Sequence, residues 1–152
     1  MFKNILVCLD GSALAEQILP YVTDEAGLHK SKVTLIQVVP SPVTVTPGVP
    51  GAPGGAVVTN PMLRETERAE KEASAYLEKV ASPMKAKSVQ AETATVIGSP
   101  GPGIASYAAD NGCDLIAIAT HGRSGLGKVV FGSVADYVLR NSGLPILLIK
   151  PH

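Results

Sequence analysis

The strongest constraint on the fold of this chain is an apolar run that leads through a glycine-rich stretch into a helical pattern. Leu115–Ala119 contains apolar residues only, which is typical of a parallel strand buried on both faces. Residues 134–139 follow a helical pattern that begins at Gly132 and Ser133. Glycine lets a ligand approach the main chain closely, and a helix N-terminus offers unpaired N–H groups with a partial positive charge. Such a unit belongs in an α/β fold and is suited to holding a phosphate.

Strand and helix patterns alternate along the rest of the chain in the same way. Further strands are expected at residues 5–9, 33–39, 88–96 and Ile146–Ile149, and further helices at 62–81 and 104–111. Another helix follows Ser12, which can cap it, and Pro20 should bend that helix or leave one of its carbonyls unpaired. The third strand is rich in threonine and alanine and suits a sheet edge. The alternation predicts a parallel sheet with right-handed crossovers and helices on both faces.

The composition limits the number of domains and the classes of partner. With 152 residues, 45% of them hydrophobic, the chain suits one domain spanning 1–152. A formal net charge of zero provides no general attraction to nucleic acids or anionic membranes, and no apolar run is long enough to span a bilayer. Cys8 and Cys113 lack metal-ligand spacing and a C-x-x-C pattern, so we expect reduced, buried thiols. We therefore expect a soluble cytoplasmic protein with neither a nucleic-acid nor a membrane partner.

A segment rich in proline and glycine interrupts the pattern at about residues 40–61. It contains no charged and no aromatic residue. Loops of this length inside a compact domain are uncommon, and they are usually either functional or disordered. A dispensable flexible insertion and a lid over a ligand both fit this composition.

The glycine-rich stretch matches other phosphate loops only in part. Residues 122–128, GRSGLGK, fit the G-x-x-x-x-G-K of a P-loop, but Val129 stands where a P-loop has the Ser or Thr that holds Mg²⁺. No G-x-G-x-x-G opens the first helix, so the dinucleotide fingerprint is missing as well.

We therefore expect a binding site that is divided between two strand ends. If the strand order is 3-2-1-4-5, a crevice opens at the carboxyl ends of strands one and four. There, Asp10 can accept hydrogen bonds from a ribose or base, while the glycine loop presents N–H groups to phosphates.

The spacing of this stretch resembles the signature of the universal stress protein family, in its nucleotide-binding branch. That signature is a glycine, two residues, a glycine, nine residues, and a glycine followed by serine or threonine. Gly122, nine further residues and the pair Gly132 and Ser133 match it, whereas Ala119 replaces the first glycine. The likeness covers nearly the whole chain.

Two further positions fit the same family. Asp10 matches its aspartate near the end of strand one, and Val38 matches the strand-two residue whose main chain faces the adenine. The resemblance implies a flavodoxin-like, doubly wound α/β domain of the adenine nucleotide alpha hydrolase type, with five parallel strands in the order 3-2-1-4-5. The nucleotide-binding residues that it implies are Asp10, Val38, Ala119, Thr120, His121, Gly122, Arg123, Ser124, Gly125, Gly132, Ser133 and Val134.

The resemblance also implies what the protein binds and how it assembles. The ligand is ATP or a related adenine nucleotide such as ADP, AMP or cyclic AMP, with any Mg²⁺ held mainly by the phosphates. The protein is expected to be a sensor or regulator in the stress response, with an unidentified protein partner. It is expected to form a homodimer through Ile146–Ile149, because an apolar edge strand left bare invites aggregation.

Two alternatives stay open at this point, and neither catalytic residues nor protein metal ligands are assigned. A slow ATP hydrolase would have to use Asp10 and His121, although we expect His121 to orient the loop rather than to act as an acid or base. A dimeric interaction protein that has lost nucleotide binding is compatible with Ala119 in place of glycine. We expect Ser133 both to face a phosphate and to cap the last helix.

Overall fold

The structure is a computed structural model and describes residues 1–42, 60–120 and 132–152. The elements in chain order are β1 (Asn4–Cys8), α1 (Ala13–Glu16), α2 (Leu19–His29), β2 (Lys32–Val39), α3 (Asn60–Ala86), β3 (Gln90–Ile97), α4 (Pro100–Asp110), β4 (Leu115–Ala119), α5 (Ser133–Asn141) and β5 (Ile146–Ile149). The interior of the proline- and glycine-rich segment lies outside the described residues, as does the stretch 121–131.

The strands form one parallel sheet in the order β3-β2-β1-β4-β5, which confirms the predicted doubly wound fold. β1 pairs with both β2 and β4, and every residue of β4 is buried. β3 lies at one edge, as its composition predicts, and β5 lies at the other. In chain order, β2 and β3 are added on one side of β1, and β4 and β5 are then added on its other side. The direction of winding therefore reverses between β1 and β4.

Apolar layers cover both faces of the sheet because successive strand residues point to opposite sides. On one face, Val7 of β1 packs in a cluster with Val22 of α2 and Leu77 of α3. On the other face, Leu6 packs in a cluster with Ile104 of α4 and with residues of α5. α4 and α5 thus lie side by side on the same face of the sheet.

The helical segment after β1 is divided where Pro20 predicts a bend. α1 ends at Glu16 and α2 begins at Leu19, since proline is accommodated in the first turn of a helix without loss of a hydrogen bond. Ser12 caps α1, because its Oγ accepts a hydrogen bond from the Ala15 N–H at 3.1 Å. The cap is therefore confirmed, whereas the single helix expected here is two helices that are separated at Gln17 and Ile18.

α3 is longer than its sequence pattern predicts. It begins at Asn60, inside the predicted loop, and it continues to Ala86 instead of ending at residue 81. Pro83 lies within it, yet the helix continues because the following residue, Met84, is buried in the core. Burial of an apolar side chain here outweighs the backbone hydrogen bond that proline removes.

The two cysteines are free and buried, as predicted. Cys8 and Cys113 belong to the apolar layer under α4 and α5, and burial raises the pKa of each thiol. Within the described ranges, no helix has both the length and the apolar character needed to cross a membrane.

Candidate functional site

A cleft of about 320 Å³ opens at the carboxyl ends of β1 and β4, where the winding reverses. Open α/β sheets bind their ligands at this position. The strand ends, α1, and the first turns of α4 and α5 surround the cleft. The residues that line it are Cys8, Leu9, Asp10, Leu14, Ala15, Ile36, Val38, Pro100, Ile104, Ile118, Ala119, Thr120, Gly132, Ser133, Val134 and Ala135.

Every site residue expected from the sequence that falls in the described part of the chain lines this cleft. These residues are Asp10, Val38, Ala119, Thr120, Gly132, Ser133 and Val134. The remaining ones lie outside the described residues, namely His121, Gly122, Arg123, Ser124 and Gly125. Parts of the chain that are far apart in sequence meet here because β1 and β4 are neighbours, with Cys8 in register with Ile118.

The main chain of Val38 faces the cleft rather than another strand. Alternate residues of a parallel strand direct their N–H and C=O groups to opposite neighbours. The Ile36 C=O points to the β1 side, where it accepts from the Leu9 N–H at 2.9 Å. The Val39 C=O points to the β3 side, where it accepts from the Gly98 N–H at 2.9 Å. Val38 therefore directs its N–H and C=O groups to the same side as Ile36, which is the side of β1. Because β1 ends at Cys8, no residue of that strand lies opposite Val38. A donor and an acceptor lie next to each other in an apolar surrounding.

α4 approaches β2 closely beside this position, and Gly103 permits the approach. A Cβ on Gly103 would lie 3.3 Å from both γ-carbons of Val38 and 3.7 Å from Val96 Cγ1. The contact brings Pro100 and Ile104 to the cleft. No motif marked these two residues in the sequence, because their place at the cleft depends on how a helix crosses a distant strand.

Asp10 is held at the cleft by the turn that leads into α1. Its Oδ1 accepts a hydrogen bond from the Ser12 N–H at 2.9 Å. Gly11 between them has a φ of +83°, a conformation that glycine adopts without steric cost. The turn places an exposed carboxylate beside the apolar lining, where it can accept hydrogen bonds from ligand hydroxyl groups.

Thr120 joins the cleft to the outer strand β5. Its N–H donates to the Ile149 C=O at 2.9 Å, and its Oγ1 donates to the same carbonyl at 3.3 Å. The residue is only 9% exposed, so these bonds hold it firmly at the end of β4. Thr120 is thereby fixed relative to the sheet.

The N-terminus of α5 points its first turn to the cleft. Gly132, with a φ of +68°, occupies the N-cap position, and within the described ranges no side chain caps this end. The prediction that Ser133 caps the helix is wrong, because the turn at Gly132 places Ser133 already inside the first helical turn. The first N–H groups of a helix lack carbonyl partners in that helix. Ser133 and Val134, which line the cleft, therefore present a surface that favours anions.

Cys8 contributes an apolar contact rather than a reactive group. Burial raises the pKa of its thiol far above the ordinary range, so the thiol stays neutral at physiological pH. Together with Ile36, Ile104 and Ile118 it makes this part of the cleft suitable for a flat, weakly polar ligand group. The three isoleucines are absent from the site residues expected from sequence, although each lies on the cleft face of its element.

Comparison with known proteins agrees with this architecture. The chain matches the model of the Universal stress protein family over residues 1–150. The universal stress protein YxiE of Bacillus subtilis is 28% identical over 151 residues, which cover 99% of this chain and 100% of that protein.

Two solved structures show the same fold. The protein MJ0577 of Methanocaldococcus jannaschii has a TM-score of 0.78 at 23% identity, covering 100% of this chain and 98% of that one. A universal stress protein from Archaeoglobus fulgidus, solved in complex with dAMP, has a TM-score of 0.64 at 20% identity, covering 97% and 98%. Since the family model spans nearly the whole sequence, the chain belongs to the universal stress protein family.

Proposed function

We propose that this protein binds an adenine nucleotide, ATP in the first place, and acts as a nucleotide-dependent regulator in the stress response. The observation that carries the proposal is the main chain of Val38, which directs a donor and an acceptor into an apolar cleft. Adenine has a ring-nitrogen acceptor beside an amino donor, so one residue's N–H and C=O can bind both. The dAMP complex of the related Archaeoglobus fulgidus protein supports an adenine ligand.

The side chains around Val38 suit the faces of a purine. Ile36, Ile104 and Ile118 line the cleft together with the neutral thiol of Cys8. Such a lining removes the base from water, and hydrogen bonds to the Val38 main chain then distinguish one base from another. Guanine has a carbonyl oxygen in place of the amino group of adenine, so it would set an acceptor against the Val38 C=O.

The remaining polar groups suit a ribose and its phosphates. The Asp10 carboxylate, fixed by the Ser12 N–H at 2.9 Å, would accept hydrogen bonds from ribose hydroxyls. The first turn of α5, with Ser133, would face the phosphates. Asp10 supplies the one carboxylate among the described lining residues, so the phosphates would be the main ligands of any Mg²⁺.

The proposed regulator is a homodimer that pairs through β5. Ile146–Ile149 forms an edge of the sheet, and its side chains are half-buried in the single chain. Pairing with the same strand of a second copy would cover this edge by a symmetric contact. We place the dimer in the cytoplasm, where free thiols such as Cys8 and Cys113 persist.

Isothermal titration with ATP, ADP, AMP, cyclic AMP and GTP tests the proposal. We expect adenine nucleotides to bind, with GTP at least about tenfold weaker because one hydrogen bond is replaced by an acceptor–acceptor contact. Asp10→Asn keeps an oxygen for the Ser12 N–H but removes the charge, so it should weaken ATP binding about threefold to tenfold. Asp24→Asn on the exposed face of α2 is the matched control and should leave affinity unchanged.

The same titrations can also contradict the proposal. Absence of binding by every adenine nucleotide at millimolar concentration would contradict it and would favour an interaction protein without a ligand. Phosphate release from ATP, measured in parallel, separates a regulator from a slow hydrolase.

A further inference from the structure

The residues that follow β5 meet the end of α1. The side chain of Gln17 forms two hydrogen bonds with the main chain of His152. Its Oε1 accepts from the His152 N–H at 3.0 Å, and its Nε2 donates to the His152 C=O at 3.3 Å. Gln17 is the C-cap residue of α1, so this short helix is fastened at its end to the segment after β5.

The same segment is fastened to the opposite side of the cleft. The Ile149 C=O, at the end of β5, accepts both hydrogen bonds of Thr120, which lines the cleft. Between these two attachment points lie only Lys150 and the buried Pro151. Residues 149–152 therefore form a bracket, with one end on β4 and the other on α1.

α1 depends on such attachments more than a longer helix would. It has four residues, and helices of this length are not stable in isolation. Leu14 and Ala15 of α1 line the cleft, and the Asp10 turn leads directly into this helix. On its other side, Glu16 accepts a hydrogen bond from the Tyr76 hydroxyl of α3 at 3.0 Å. Gln17 thus adds a hydrogen-bonded attachment to the packing contacts that α1 makes with β4 through Ala15.

We propose that Gln17 is a positioning residue for the nucleotide: through the main chain of His152 it holds the α1 wall of the cleft at a fixed distance from the β4 wall. The inference rests on the proposed function, since it assigns a role in that same site. Gln17 itself does not line the cleft, so it acts through Leu14, Ala15 and the Asp10 turn. Loss of the bracket leaves the contact residues in place but lets α1 move, and ordering α1 again then opposes binding.

The test compares variants that break the bracket with variants that leave it intact. Gln17→Ala removes both hydrogen bonds, and His152→Pro removes the N–H donor while the fold of the sheet is untouched. His152→Ala keeps the main-chain groups, and Gln90→Ala changes an exposed glutamine at the opposite end of the sheet. We expect ATP affinity to fall about threefold to tenfold in the first two variants and to stay unchanged in the two controls.

Hydrogen exchange of the ligand-free protein provides a readout that general destabilisation would not produce. In Gln17→Ala, amides of residues 13–17 and 149–152 should exchange faster, while those of β1 and β2 keep their protection. ATP should restore part of this protection in the variant.

Three outcomes overturn the inference. The first is that Gln17→Ala and His152→Pro bind ATP with the affinity of the wild type. This result would not contradict the proposed function. The second is a loss of protection spread evenly over the sheet, which would reduce Gln17 to a general stabilising role. The third is failure of the wild type to bind ATP, which would refute the proposed function and this inference with it.

Discussion

Alanine substitution of two helical glycines should change stability in opposite directions. Gly101 is buried at the start of α4, where an added Cβ would lie 2.7 Å from Cγ, 2.8 Å from Cδ1 and 2.9 Å from Cβ of Tyr137 in α5. These atoms belong to the base of the Tyr137 side chain and not to its flexible end, so the two helices themselves must separate. Gly27 in α2 has no atom within 4 Å of the same added carbon.

The expected free energies follow from these distances. Overpacking of this kind costs about 1–3 kcal/mol, and alanine in a helix is favoured over glycine by about 1 kcal/mol. Gly27→Ala should therefore raise the free energy of unfolding by about 0.5–1 kcal/mol. Gly101→Ala should lower it by up to about 2 kcal/mol, because the clash outweighs the helix preference.

A double-mutant cycle isolates the clash. In a Tyr137→Ala background the contacts with Cγ and Cδ1 are gone and only the contact with Cβ at 2.9 Å remains, so Gly101→Ala should cost clearly less than in the wild type, with a coupling of about 0.5–2 kcal/mol. Urea unfolding measures each free energy from the midpoint at constant slope, and each kcal/mol corresponds to about 2–4 °C in melting temperature for a chain of this size. Equal effects of Gly101→Ala in both backgrounds, or stabilisation matching that of Gly27→Ala, would refute the reasoning.

The same contact should link stability to ligand binding. α4 and α5 both reach the cleft with their first turns, at Pro100 and at Ser133. Separating the helices at Gly101 would widen this part of the site, so affinity for the proposed adenine nucleotide should fall a few-fold in Gly101→Ala and stay unchanged in Gly27→Ala, as isothermal titration would show.

Two further predictions concern the cap of α1 and the thiol in the cleft. Ser12→Ala removes the 3.1 Å hydrogen bond to the Ala15 N–H and should lower the free energy of unfolding by about 1 kcal/mol, whereas Ser12→Thr should retain most of it in urea titrations. The raised pKa of Cys8 means that the unfolded chain loses the thiol proton before the folded protein does. Stability should therefore fall as the pH rises above the ordinary thiol pKa of about 9.0, and Cys8→Ala should reduce this fall between pH 8 and pH 10. A pH dependence identical to that of the wild type would show that Cys8 is not the group responsible.

Most of the fold was predictable because strand patterns and turn residues are local signals. The apolar runs of β1, β2, β4 and β5 were identified within one or two residues of their observed bounds. Errors arose at α3, where tertiary burial overrode a local rule, and at α5, where the backbone conformation of one glycine did. α3 continues past Pro83 because Met84 is buried, and the N-cap of α5 is Gly132 and not Ser133 because the incoming turn has a positive φ.

The residues of the candidate site likewise fall into those that the sequence marks and those that only the tertiary structure shows. Asp10, Thr120 and Ser133 could be marked in the sequence because they stand directly after strands or at a helix start, where α/β folds hold ligands. Pro100 and Ile104 could not be marked, since α4 reaches the cleft only through its close packing on Val38 at Gly103. The bracket between Gln17 and His152 was equally invisible, because its partners are separated by 135 positions.

The sequence by itself determined the order of strands and helices and the polar groups available at the strand ends, because hydrophobic periodicity and turn chemistry act between near neighbours. Only the tertiary structure decided which apolar side chains surround those groups, how far α4 and α5 stand apart, and how the segment after β5 meets α1. These features depend on contacts between residues far apart in the chain, which packing selects and no local pattern encodes.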